Sequence, residues 1–213
     1  MLAFVLTDAD VPLMELRRSF GAVVKRSFNS LSIDTDTSTS DTAAVLASGV
    51  AGQVGIGEFE LALQGVCTEL TRMLAADGEG ATKLLVVEVS GARDDDQARR
   101  VAKAVVNSPL VKTAVHGADP NWGRVAMAVG KCSDDSDIDQ TRTRISFGGT
   151  QVYPTEGSGG PGGDGVDLEA LESYLRGDEV HIGVDLGIAG SSWTVYGCDL
   201  SDGYVRINAD YTT

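Results

Sequence analysis

The sequence predicts an α/β protein in two parts: a mixed α/β part over residues 1–108 and a strand-rich α+β part over residues 109–213. Three observations carry this. In the first part, apolar runs of strand length alternate with amphipathic stretches of helical period. After Val111 the texture shortens into apolar runs parted by turns. The 26 glycines supply many tight turns, and no apolar run approaches the ~18 residues of a membrane span.

Each element follows from its local pattern. Met1 to Leu6 is an unbroken apolar run closed by Thr7-Asp8, read as a strand buried on both faces. From Val11 to Arg26, Leu13, Leu16, Phe20, Val23 and Val24 recur at helical spacing with Arg17, Arg18, Lys25 and Arg26 opposite. The stretch LSIDTDTSTSDTAAVLASG begins polar and ends as a short apolar strand. Glu58 to Ala76 forms a second helix whose buried side is drawn from Phe59, Leu61, Leu63, Val66, Leu70 and Met73. DGEGATK breaks that helix, and KLLVVEVSG is a strand. DDDQARRVAKAVVNSPL is a third helix: Asp94, Asp95 and Asp96 sit at its electropositive start, and Pro109 ends it. Beyond it, VKTAVHG, GRVAMAVGK, TRISFGGTQVY, VHIGVDLG, SSWTVYGCDL and GYVRINADYT read as strands, with one helix from Asp167 to Arg176. TEGSGGPGGDG, residues 155–165, is a loop by composition.

Bulk charge narrows the partners. With 31 acidic against 17 basic residues, the net charge of −14 repels nucleic acid and anionic lipid. Cys67, Cys132 and Cys198 lie far apart, match no zinc spacing and form no disulfide framework, which points to a reducing cytoplasm. His116 and His181 are too few for most metal sites, so no metal is expected.

Three polar stretches stand out. DTDTSTSDT (34–42) begins like a calcium loop but lacks the Gly and Glu at the required offsets, which favours a loop held by its own Asx and Ser/Thr turns. DGEGATK (77–83) holds Glu79 between two glycines at a helix-to-strand junction. Such a carboxylate is either a solvated turn residue or a grip for a substrate ammonium. HGADPNWGR (116–124) is dense for a mere turn, and Trp122 stacked on Arg124 would anchor it structurally. There is no Gly-x-Ser-x-Gly elbow, nucleotide-binding glycine motif or His–carboxylate pair. From the residues alone, the chain is a soluble cytoplasmic α/β protein with a small-molecule site around Glu79 and an open choice of reaction.

Taken together, MLAFVLTDA at the start, STSDT at 38–42, DGEGATK at 77–83, DPNWGR at 119–124 and NADYTT at the end resemble the β chain of the ornithine acetyltransferase (glutamate N-acetyltransferase) family. The five stretches occur in the family's order across the whole sequence. The resemblance implies an α-β-β-α layered sandwich of the self-cleaving aminopeptidase type, completed by an α chain in an α2β2 assembly. It implies acetyl transfer from N-acetyl-L-ornithine to L-glutamate, in arginine biosynthesis or an antibiotic-cluster pathway. The family's precursor cuts itself, and the freed threonine becomes the nucleophile. That threonine stands immediately before the residue matching Met1, so no catalytic residue is expected in this numbering, and residues 1–213 alone should be inactive. A free α-amine with a pKa of ~7.7–8.0 suits the task of activating the threonine hydroxyl.

The resemblance also assigns substrate contacts to Glu79, Asn208 and Thr213. It implies no bound cofactor, although acetyl-CoA serves some members as an alternative donor. Val205, Ile207, Ala209 and Tyr211 alternate with polar residues, so the tail is expected to be an ordered strand ending in the active site, near Met1 and Glu79. Two other readings remain at this point: a self-cleaving β-aminopeptidase-like hydrolase, which DGEGATK and NADYTT oppose, and a scaffold subunit without a nucleophile.

Overall fold

The computed structural model of the chain describes residues 1–132, 134–154 and 166–210. In chain order its elements are β1 (Leu2–Asp10), α1 (Leu13–Arg26), a 3-10 turn (Phe28–Ser30), β2 (Leu31–Ser32), β3 (Thr42–Gln53), α2 (Ile56–Ala76), β4 (Leu84–Ala92) and α3 (Asp95–Val106). They continue as α4 (Pro109–His116), α5 (Trp122–Gly130), β5 (Arg144–Phe147), β6 (Thr150–Tyr153), α6 (Leu168–Leu175), β7 (Glu179–Asp185), β8 (Ser191–Cys198) and α7 (Asp202–Asp210). The class is α/β with mixed sheets. Two compact units form: Met1–Ser30 with Thr35–Thr71, and Leu31–Asp34 with Arg72–Thr213. The boundary expected at 108/109 falls inside the second unit, between α3 and α4.

In the first unit β1 and β3 pair in parallel, Leu6 opposite Leu46, with a register shift between Thr7 and Ala9. β1 is not buried on both faces in this chain. Ala3, Val5 and Ala9 are buried, whereas Leu2, Phe4 and Leu6 on the other face are 60–76% exposed. Period-two alternation sends every second side chain to the uncovered side of a two-stranded sheet. In α2 the buried stripe is Phe59, Leu63 and Cys67, one residue per turn. Leu61, Val66 and Met73, expected inside, are exposed. Ser19 of α1 donates to Glu60 of α2 at 2.7 Å.

The second unit is built on a six-stranded sheet of order β2-β8-β4-β7-β5-β6. β4 is central, antiparallel to β8 and parallel to β7. One of its faces presents Leu85, Val87 and Val89 to the main core, which includes Val101 and Val105 of α3 and Val125, Ala128 and Val129 of α5. Leu84 and Val86 on the other face pack with Ala75, Tyr196 and Leu31. Asp94 caps α3 by accepting from the Gln97 N–H at 2.8 Å, as the acidic triplet predicts.

Three segments expected as strands are helices. VKTAVHG lies in α4, and Pro109, instead of ending α3, opens α4 at its first turn behind the Ser108 cap. GRVAMAVGK lies mostly in α5, which Asn121 caps through the Arg124 N–H. In both, the buried valines and alanines recur at i, i+3 and i+4: Val111, Ala114 and Val115, then Val125, Ala128 and Val129. GYVRINAD is α7, capped by the Ser201 hydroxyl accepting from the Tyr204 N–H, with an i,i+4 pair between Asp202 and Arg206. Its alternation in sequence marks no buried face, since none of its residues is buried. Trp122 stacks on Tyr153, with ring centroids 4.8 Å apart, and not on Arg124. The glycine-rich stretch 155–165 and residues 211–213 lie outside the described residues.

Lys112 is 5% exposed, and its ammonium donates to the carbonyls of Ile33 at 2.8 Å and Cys198 at 2.6 Å. Burial holds its pKa below the ordinary lysine value. Lys112→Met would leave both carbonyls without this donor, and a loss of about 2–3 kcal/mol is expected. Urea unfolding of the assembled protein checks this through a lower midpoint.

Candidate substrate-binding site

The loop from Asp77 to Lys83 joins α2 to β4, and Glu79 projects from it, exposed. α7 carries Asn208, whose side-chain amide donates to Glu79 Oε2 at 2.8 Å and to the Tyr204 carbonyl at 3.1 Å. Two of the three residues assigned to the substrate are thus brought together across 129 positions of sequence. The third, Thr213, lies outside the described residues. Glu79 offers a carboxylate that can accept from an ammonium group. Asn208 retains an amide carbonyl beside it that can accept as well.

Backbone geometry makes this meeting possible. Gly80 has φ +66°, and a Cβ there would stand 2.3 Å from the Tyr204 nitrogen and 2.6 Å from the Gly203 carbonyl carbon. The loop therefore lies directly on the first turn of α7, an approach that only glycine permits. Ser201 Oγ, besides capping α7, donates to the Gly80 carbonyl at 2.5 Å.

At the end of the same loop, around Thr82 and Lys83, lies a cluster that the sequence did not reveal. The Asp199 carboxylate, on the connector from β8 to α7, is buried. Its Oδ1 accepts from the backbone N–H groups of Thr82 at 2.8 Å and Lys83 at 3.0 Å. Its Oδ2 accepts from the Thr82 hydroxyl at 2.5 Å and lies 2.7 Å from His116 Nδ1. Burial alone would raise its pKa. The hydrogen bonds from Thr82, His116 and Lys83 outweigh burial and hold the carboxyl below the usual range. The Lys83 ammonium donates to the carbonyls of Val115 and Leu175, at 2.8 and 2.6 Å, near the C-terminal ends of α4 and α6.

Histidine–carboxylate pairs therefore do occur. His116 meets Asp199 from 83 positions away, and His181 Nε2 lies 2.6 Å from Glu179, which also pairs with Arg72. No local pattern could have announced the first. Thr82 and Lys83 stand within DGEGATK, but nothing in that stretch names their partner.

The sheet face bearing Glu88 and Gly183 carries two open grooves of about 310 and 400 Å³, neither lined by Glu79. They hold no constellation matching the assigned contacts, so the Glu79–Asn208 pair is the better candidate. No group of three metal-ligating side chains and no helix long and apolar enough to cross a membrane occurs among the described residues.

Comparisons with known proteins bear on this geometry. A glutamate N-acetyltransferase of Streptomyces clavuligerus is 59% identical over 213 residues, covering all of this chain and 54% of the relative. The arginine biosynthesis bifunctional protein ArgJ of Rhodococcoides fascians is 58% identical, covering all of this chain and 52% of the relative. The chain thus spans about half the length of the curated relatives it matches. A crystal structure of the arginine biosynthesis bifunctional protein argJ from Bacillus halodurans superposes with a TM-score of 0.89 at 40% identity, covering 99% of this chain and 100% of that one. The ArgJ family model matches residues 1–213. The chain belongs to the ArgJ family.

Proposed function

We propose that this chain is the β half of a cytoplasmic glutamate N-acetyltransferase, working with an α chain from the same precursor in an α2β2 assembly. The observation that carries the reading is the 2.8 Å contact between Glu79 and Asn208, two residues that the resemblance assigns to the substrate, in a chain that the family model matches over its whole length. In this reading Glu79 receives the ammonium groups of the amino-acid substrates, while Asn208 and Thr213 bind the rest of the amino-acid head.

The nucleophile is a threonine preceding the position of Met1 in the family pattern. Its hydroxyl attacks the acetyl carbonyl of N-acetyl-L-ornithine, and the threonine's own α-amine takes the proton. The tetrahedral intermediate collapses with cleavage of the C–N bond. Ornithine leaves with the transferred proton on its amine, and an acetyl ester remains. The glutamate amine then attacks that ester and releases N-acetyl-L-glutamate and free threonine hydroxyl. An oxyanion hole on the α chain stabilises both intermediates. The cycle uses no resident cofactor, and acetyl-CoA is an alternative acetyl donor.

Isotope exchange tests the mechanism. The assembled enzyme should move labelled ornithine into N-acetylornithine in the absence of glutamate, as an acetyl-enzyme intermediate requires. Exchange that depends on added glutamate would overturn it.

The partner reading draws support from the first unit, where Leu2, Phe4, Leu6 and Leu46 leave an apolar face open. A patch of this kind marks an interaction surface. Expressed alone, the chain should self-associate in light scattering, whereas co-expression with the α chain should give one defined heteromer. A monodisperse monomer would count against it.

A further inference from the structure

The geometry points to Asp199 as a positioning residue that acts through Glu79: it locks the 77–83 loop to the base of α7 and so sets the carboxylate opposite Asn208. The inference rests on the reading of Glu79 as a substrate contact. Asp199 touches neither Glu79 nor Asn208 in any described hydrogen bond, yet it stands on the connector between β8 and the helix that carries Asn208. From there its two oxygens hold the far end of the Glu79 loop by three hydrogen bonds from Thr82 and Lys83. Its own backbone N–H donates to the Lys83 carbonyl at 3.2 Å, closing the clamp from both sides. Two residues on, Ser201 holds the near end through the Gly80 carbonyl. Two residues of one connector, Asp199 and Ser201, therefore hold the stretch from Gly80 to Lys83 that directly follows Glu79.

A buried, ionised carboxylate costs folding free energy unless its lone pairs are used, and Asp199 uses three acceptor positions on this loop. His116, 38% exposed at its side chain, completes the set on Oδ2. A structural staple would hold any two elements together. This one joins the segment that presents Glu79 to the base of α7 and to His116 of α4, and the orientation of that segment sets where the substrate ammonium must sit. A displacement of about 1 Å in a positioning group can cost on the order of a hundredfold in rate.

The test is a double-mutant cycle in the assembled α/β enzyme, following acetyl transfer from N-acetylornithine to glutamate. Glu79→Gln alone should lower kcat/KM about a hundredfold. Asp199→Asn should raise KM about tenfold or more, with a smaller change in kcat. Combined with Glu79→Gln, Asp199→Asn should add little, because its effect passes through a carboxylate already lost. Should Asp199→Asn not fold, Thr82→Val removes one clamp bond and should give a milder KM increase, which Thr82→Ser restores. Additive effects in the cycle, or unaltered KM in a folded Asp199→Asn and Thr82→Val, would overturn the positioning role while leaving Glu79 as a contact. Unaltered kinetics in Glu79→Gln would instead overturn the substrate-contact reading, and the positioning role with it.

Discussion

Glu79→Gln in the assembled enzyme is expected to lower kcat/KM for acetyl transfer about a hundredfold while leaving the fold intact. Gln keeps the size and the acceptor oxygen but removes the charge that a substrate ammonium would meet. A hydrogen bond between charged groups contributes about 1.5–3 kcal/mol, and each ~1.4 kcal/mol is a factor of ten. The substitution has little structural cost, because Glu79 is exposed and its described partner is the Asn208 amide, which a Gln carbonyl can also accept from. Steady-state kinetics with both substrates, beside a melting curve, separates the two effects. Kinetics equal to the parent would remove Glu79 from the site.

Gly80→Ala is expected to damage both stability and activity. At φ +66° an added Cβ costs ~1–2 kcal/mol from the left-handed conformation alone. The same Cβ would stand 2.3 Å from the Tyr204 nitrogen, so either the loop or the first turn of α7 must retreat. Retreat separates Glu79 from Asn208 and breaks the bond from Ser201 to the Gly80 carbonyl. A loss of about 3 kcal/mol, together with transfer reduced at least as far as in Glu79→Gln, is the expected result. Denaturant unfolding and kinetics on the same preparation check it. A variant with parental stability and rate would show that the close approach of the two segments is dispensable.

The sequence made the long elements legible. α1, α2 and α3 have unbroken helical periods, Asp94 announces its cap, and β4, β7 and β8 are apolar runs of strand length. α4 and α5 were obscured because their valines resemble strand residues, although Ser108-Pro109 and Asn121 are ordinary helix starts. α7 shows how alternation misleads on an exposed segment: with no face to bury, Val205, Ile207 and Ala209 carry no information about period, and the Ser201 cap decides. Exposure on β1 and α2 was illegible for a different reason. An apolar side chain in a periodic pattern does not show whether this chain supplies a second layer to cover it.

The site divides in the same way. Glu79 and Asn208 were found through family stretches at 77–83 and 208–213, and their contact is a finding of the fold. Asp199 meets His116 and Thr82 across 83 and 117 positions, through hydrogen bonds to a buried carboxylate that no local motif encodes.

We propose that this chain forms part of an acetyl-transferring enzyme. The most direct measurement is to incubate the assembled α and β chains with N-acetyl-L-ornithine and L-glutamate and follow the products by mass spectrometry. Stoichiometric formation of N-acetyl-L-glutamate and ornithine, absent with either chain alone, is the predicted result. Release of free acetate without N-acetylglutamate, or no reaction from the assembled protein, would contradict it.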